Sequence, residues 1–131
     1  MASLVPTVGK AIISGRMIGT SPSQAEPRYL GWGTGAGAGS ASSTDVSTPA
    51  TEARATGTST QFTTTTTNDT HQVVGTLTAS GNKTITNLGV FDAAGTGSPP
   101  SGGALYAIFD GLNQALNSGD SIQFTARVQY T

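Results

Sequence analysis

The chain has 131 residues, 35% of them hydrophobic, and carries a net charge of −1 from six basic and seven acidic side chains. Lys10, Arg16, Arg28, Arg54, Lys83 and Arg127 are scattered singly, without the cationic clusters that displace counterions from phosphates, so nucleic acid is not an expected partner. The absence of cysteine excludes disulfides and thiolate zinc sites, and no apolar run is long enough to span a bilayer, so no membrane association is expected.

A chain of this size has material for one core. It divides into residues 1–27, an N-terminal strand or arm with a Pro-containing linker, and residues 28–131, a β-sandwich domain, together one folded unit. The first residues, Met1-Ala2-Ser3-Leu4-Val5-Pro6-Thr7, lack the basic and apolar blocks of a signal peptide, which predicts a protein made in a cytoplasm. Residues 8–18 (VGKAIISGRMI) read as a first strand or extended arm, β-branched and interrupted by Gly9 and Gly15. Pro22 and Pro27 break regular structure across residues 20–27. Arg28-Tyr29-Leu30-Gly31-Trp32-Gly33 is a short strand with the only Trp. Arg28, Tyr29 and Trp32, with Arg54, form a candidate interface set; core packing of the aromatics is the competing account.

Residues 34–57 shift to Gly, Ala, Ser, Thr and Pro and read as a long, mobile surface loop, with one turn of helix possible at residues 51–54 after Pro49. Strands are predicted at 59–67 and 70–79 around an Asn68-Asp69 turn. The run of five Thr at 63–67 suits an edge strand, and Val73, Gly75, Leu77 and Ala79 share one face of the next. At 83–92 the spacing of Ile85, Leu88 and Val90 breaks alternation once, which predicts a bulge near Asn87. Residues 95–103 form a second loop, 104–110 an apolar central strand, and 112–116 a short turn of helix. The clearest element is residues 121–131. Ile122, Phe124, Ala126, Val128 and Tyr130 alternate with polar residues at a period of two, the signature of a half-buried antiparallel strand. The fold class is therefore all-β, an antiparallel sandwich or jelly-roll-like domain of about six or seven strands with minimal helix.

Chemistry-bearing motifs are thin, and no catalytic, cofactor-binding or metal-ligating set is expected. The glycine run at 31–39 lacks the following helix and Lys that a phosphate loop needs. His71 is the sole imidazole, near Asp69 and several hydroxyls, and reads as a surface turn residue at the exposed start of its strand. Asp92, Asp110 and Asp120 sit at strand ends, where aspartates close turns. Asn68-Asp69-Thr70 and Asn82-Lys83-Thr84 match the glycosylation sequon but read as coincidences of a Thr-rich chain.

The set Pro27-Arg28-Tyr29-Leu30-Gly31-Trp32-Gly33-Thr34-Gly35, Glu52-Ala53-Arg54 with Gly57-Thr58, Asn68-Asp69-Thr70 with Val73-Val74-Gly75-Thr76, Lys83-Thr84-Ile85-Thr86 running into Gly89-Val90-Phe91-Asp92, and Leu116-Asn117-Ser118-Gly119-Asp120-Ser121-Ile122-Gln123-Phe124 resembles small β-rich structural proteins of tailed bacteriophages. The resemblance covers roughly residues 27–131. It implies a virion structural protein, first a capsid cement or decoration protein on the capsid exterior whose partners are the major capsid protein and copies of itself, with no enzymatic activity. The alternative it implies is a tail or tail-fibre component acting as an attachment or receptor- or glycan-binding module. On a symmetric lattice the favoured oligomer is a trimer, with a dimer second.

Overall fold

The structure is a computed structural model and describes residues 2–18 and 25–131. In chain order its elements are β1 (Ala2–Leu4), α1 (Thr7–Arg16), β2 (Tyr29–Gly33), β3 (Ala55–Thr56), β4 (Thr58–Phe62), β5 (Thr70–Thr78), β6 (Lys83–Ile85), β7 (Asn87–Phe91), β8 (Leu105–Asp110), β9 (Gln114–Leu116) and β10 (Ser121–Gln129). The protein is mostly β. Among the described residues the strands form a five-stranded sheet in the order β1-β8-β7-β2-β3, a three-stranded sheet β10-β5-β4 and a pair β6-β9, all antiparallel.

Alternation along β10 appears as read from the sequence. Ala126 is buried, Ile122, Phe124 and Val128 are half-buried, and Gln123, Thr125 and Arg127 are exposed. β10 pairs with β5 along its full length without a slip in register, and Val73, Leu77 and Ala79 bury the matching face. β7 and four of the five residues of β2 are instead buried regardless of parity, as is β8 up to Phe109, because the five-stranded sheet is covered on both sides. One apolar cluster joins Leu30, Trp32, Leu88, Val90 and Tyr106 to Val73, Leu77 and Ala126, and takes in Ile12 of α1. A second, on the other side, joins Val46, Phe91, Leu105 and Ile108. A sheet covered on both sides loses the polar alternation that marks a one-sided strand.

Six local expectations are corrected. Residues 8–18 are not a strand or arm: Thr7–Arg16 is a helix. Its buried residues, Gly9, Ile12 and Gly15, recur at intervals of three, which is a helical stripe. Gly9 is there for contact, since a Cβ would collide with the Tyr106 carbonyl oxygen of β8. Packing against β8 thus overrides the poor helix propensity of Gly and β-branched residues. Of the Pro-containing linker expected at 20–27, residues 20–24 lie outside the described residues.

The Thr run is a turn rather than an edge strand, because the Asp69 carboxylate accepts the backbone N–H groups of Thr64, Thr65 and Thr66 at 2.9, 3.0 and 2.9 Å. Residues 51–54 contain no helix, and residues 114–116 form β9 instead of a helical turn. The break in alternation near Asn87 is a change of sheet: Lys83–Ile85 pairs with β9, while Asn87–Phe91 pairs with β2 and β8. The register irregularity lies further on, between Val90 and Phe91.

The Gly-rich segment after β2 is folded onto the five-stranded sheet, not a free surface loop. Gly35 N–H donates to the Ser47 carbonyl at 3.0 Å and Ala50 N–H to the Trp32 carbonyl at 3.0 Å. Buried Asn87 accepts the Ser47 N–H at 2.9 Å and donates back to its carbonyl at 3.1 Å. Gly39 N–H donates to Asp110 at 2.7 Å, and Val46 lies so close to Gly89 that a Cβ there would come within 2.7 Å of its methyl. A segment poor in apolar side chains is thereby held by its own backbone polar groups.

Because α1 and β1 contribute to the same core as the sheets, the N-terminal segment should be needed for stability. Ile12, 1% exposed, is the sharpest probe. Ile12→Ala should cost about 2–4 kcal/mol, read as a drop in the urea midpoint with an unchanged slope. An unaltered midpoint would mean that the helix is a detachable arm.

Candidate functional site

A cleft of about 450 Å³ opens where the C-terminal end of α1 meets β4, the start of β5, Tyr106 of β8 and Tyr130 just beyond β10. Each wall follows from the fold. The helix brings Ile12, Ile13 and Arg16, followed by Met17; β4 brings Ser59, Thr60 and Gln61; the Asp69 turn and the start of β5 bring Asn68, Thr70 and His71. Tyr130 N–H donates to the Asp69 carbonyl at 2.9 Å, which fixes the end of the chain over the same turn.

Two polar pairs line the cleft. The Ser59 hydroxyl and His71 Nε2 are 2.7 Å apart, and the His71 ring packs edge-on against Tyr106, with centroids 5.2 Å apart. Burial pushes the His71 pKa down, opposed by the charge of Glu26, so the ring is neutral at pH 7. His71 is thus a half-buried wall residue, not the exposed turn residue its sequence position suggests. The Tyr106 and Tyr130 hydroxyls hydrogen-bond each other, and burial raises the pKa of both. The cleft therefore sets neutral hydroxyl, amide and imidazole groups beside the charged side chains of Arg16 and Glu26 around an apolar floor. Glu26 is drawn toward Arg28 at 3.9 Å across an exposed pair, a contact worth little.

The three large hydrophobic side chains exposed among the described residues are Met17 at 79%, Ile18 at 55% and Tyr130 at 45%. Met17 and Tyr130 line this cleft and Ile18 follows Met17 directly. Sequence reasoning missed this grouping. Met17 and Ile18 were assigned to a strand, and Tyr130 was assigned to the core face because it continues the even positions of β10.

The structure splits the expected interface set. Trp32 is 2% exposed and packs edge-on against Phe124, with ring centroids 6.2 Å apart, so it belongs to the core. Arg54 is 7% exposed; its guanidinium lies 3.5 Å from the Phe91 ring centroid and donates to the Ala93 and Gly102 carbonyls at 2.9 and 2.7 Å. Burial lowers the Arg54 pKa while Asp45 and Asp92 oppose that shift. Arg54 thus clamps residues 93–102 to the sheet from inside. Arg28 is exposed and Tyr29 half-buried, and the Arg28 guanidinium lies 5.7 Å from the Tyr29 ring centroid.

Two of the strand-end aspartates close local connections as expected: Asp92 accepts Ala104 N–H at 2.6 Å and Asp120 accepts Asn117 N–H at 2.8 Å. Asp110 caps no turn and instead accepts the N–H of distant Gly39 at 2.7 Å. Among the described residues no group of three or more His, Asp or Glu side chains is placed to hold a metal ion, and no helix is long and apolar enough to cross a membrane. Compared with protein-family models, curated proteins and solved structures, the chain matches none.

Glu52 fixes the segment that leads into Arg54. Its carboxylate accepts Ser80 N–H at 2.9 Å, the Ser80 hydroxyl at 3.1 Å and the Trp32 indole N–H at 3.3 Å, and pairs with the Lys83 ammonium. Burial alone would raise its pKa, but these donors together hold it at about 2, below the ordinary 4.5. A depressed carboxyl pKa contributes stability above the unfolded value, which is lost as pH falls from there through the folded value. Stability should therefore decline between about pH 4.5 and 2, with a Glu52 contribution on the order of 3 kcal/mol. Glu52→Gln should cost about 2–4 kcal/mol at pH 7 and flatten that acid limb in a urea titration. An unchanged acid limb would show that Glu52 is not its source.

Proposed function

We propose that the chain is a virion structural protein, a capsid cement that binds the outside of a major capsid protein lattice and stabilises the head. The observation that carries this reading is the exposure of Met17 and Tyr130 in the lining of one cleft, with exposed Ile18 next to Met17 in the chain. Exposed apolar groups collected at one place, rimmed by polar side chains, mark a surface that another macromolecule covers. In this reading the three- and five-stranded sheets face each other as a sandwich, and the cluster shared between them supports that arrangement. The protein acts by binding rather than by catalysis: the Ser59–His71 contact is a packed polar pair that shapes the cleft wall. Resemblance to the phage structural group over residues 27–131 supplies the capsid as the partner. Many copies on one lattice turn modest single-site affinity into stable coverage.

The alternative, a tail or tail-fibre attachment module, is favoured by one feature of the same cleft. Its Tyr106–Tyr130 hydroxyl pair beside Gln61 and Asn68 offers the aromatic and hydrogen-bonding groups that suit a glycan.

Co-sedimentation of the protein with expanded, DNA-free capsid shells, with empty tails in parallel, separates the two readings. Saturable binding to shells in fixed ratio to the major capsid protein is expected, and the exposed double variant Met17→Glu, Ile18→Glu should bind at least about tenfold more weakly with an unchanged melting curve. Binding to tails alone, or full retention of shell binding by the variant, would contradict the cement reading.

A further inference from the structure

The longest open sheet edge among the described residues is β10. It has nine residues, lies at the border of its sheet and pairs only with β5. The other borders are short: β1 has three residues, β3 two and β4 five.

A long free edge presents unpaired backbone N–H and C=O groups, and isolated domains blunt such edges with Pro, bulges or charged side chains. Of these guards β10 carries only a single charge. It contains no Pro or Gly, its register with β5 is unbroken, and its one charge, Arg127, is engaged by neighbours within its own sheet. Arg127 Nε donates to Gln72 Oε1 at 2.7 Å on β5, and the guanidinium lies 3.8 Å from the Phe62 ring centroid on β4.

From this we infer that β10 is a self-association edge, and that its occupant is β10 of a second copy of this chain, paired antiparallel about a two-fold axis through Thr125. The sequence is self-complementary in that register. Ser121 meets Gln129, Ile122 meets Val128, Gln123 meets Arg127, Phe124 meets Ala126, and Thr125 meets itself. Apolar residues face apolar residues on the core side, polar residues face polar residues on the outer side, and no like charges stand opposite each other.

The surroundings fit the same occupant. Beside the C-terminal half of β10 lies a cavity of about 330 Å³ lined by Leu4, Val5, Phe109 and Val128 together with the polar Ser3, Arg127 and Gln129. The register brings Ile122 of the second copy opposite Val128, at that opening. Two three-stranded sheets then join as one continuous six-stranded sheet, and the interface is isologous, which closes at two subunits. This arrangement differs from the threefold expected from a lattice position, and it stands apart from the capsid reading.

Because the chain has no native cysteine, single substitutions report the register directly. Across the proposed axis Thr125→Cys places two thiols on strands about 4.5–5.5 Å apart, within disulfide reach. Gln123→Cys leaves its two thiols about four residues apart along the strands, roughly 13 Å, out of reach. Mild oxidation of the full chain should convert Thr125→Cys to a covalent dimer and leave Gln123→Cys monomeric. Sedimentation equilibrium of the unmodified protein should show a reversible dimer. Thr125→Lys, exposed in the monomer and placing like charges face to face, should weaken that dimer about tenfold without altering the melting curve. Equal cross-linking of the two cysteine variants, a monomer at about 1 mM, or a trimer that survives Thr125→Lys would overturn the assignment.

Discussion

The Glu52 carboxylate is the interaction on which much of the architecture depends. It stands in a stretch without regular structure, yet joins Trp32 of the five-stranded sheet, Ser80 of the turn after β5 and Lys83 of the two-stranded pair. One side chain thus ties all three sheets at a single point. A buried charge is retained only when its donors replace the lost water, and four protein donors do so here. Two residues later Arg54 repeats the device with opposite charge, over Phe91 and against the Ala93 and Gly102 carbonyls. Between them, Glu52 and Arg54 pin a connection whose neighbours are too small to pin themselves.

The same constraint explains the polar character of the rest. Aromatics make up only 6% of the chain, so its connections are held by directed hydrogen bonds more than by packing. Asp69 gathers three Thr amides, Asn87 brackets Ser47, and Asp110 holds Gly39. Each bond fixes a small-residue segment at modest net energy, because solvent competes for the same groups. Exposed Met17, Ile18 and Tyr130 stand out against this background, since much of their apolar surface is left to solvent.

What could be read from the sequence depended on whether burial was one-sided. β10 and β5 bury one face, so a period of two marked them and gave nearly their true limits. β7 and β8 are buried on both faces, so β8 was legible as an apolar run and β7 only as a broken alternation, and which sheet each joined stayed hidden. α1 was misread because its packing stripe is built from Gly9, Ile12 and Gly15, residues whose local preferences argue against a helix. The Thr run was misread because β propensity is weaker than one carboxylate accepting three consecutive amides. For the cleft, His71 was visible as the lone imidazole, but its partners Ser59 and Tyr106 are 12 and 35 positions away and meet it only through sheet packing. Trp32 and Arg54 were recognisable as special residues, though their role is internal.

Two adhesive features are proposed on a polar body: a polar-rimmed cleft with an apolar floor to meet a capsid, and a free strand edge to meet a second copy. Cryo-electron microscopy of expanded shells saturated with the protein tests both at once. The account predicts density on the outer shell surface in fixed proportion to the major capsid protein, with the Met17 and Tyr130 end of each copy against the shell and neighbouring copies joined along β10. Shells without added density, or copies bound with that end facing solvent, would contradict it.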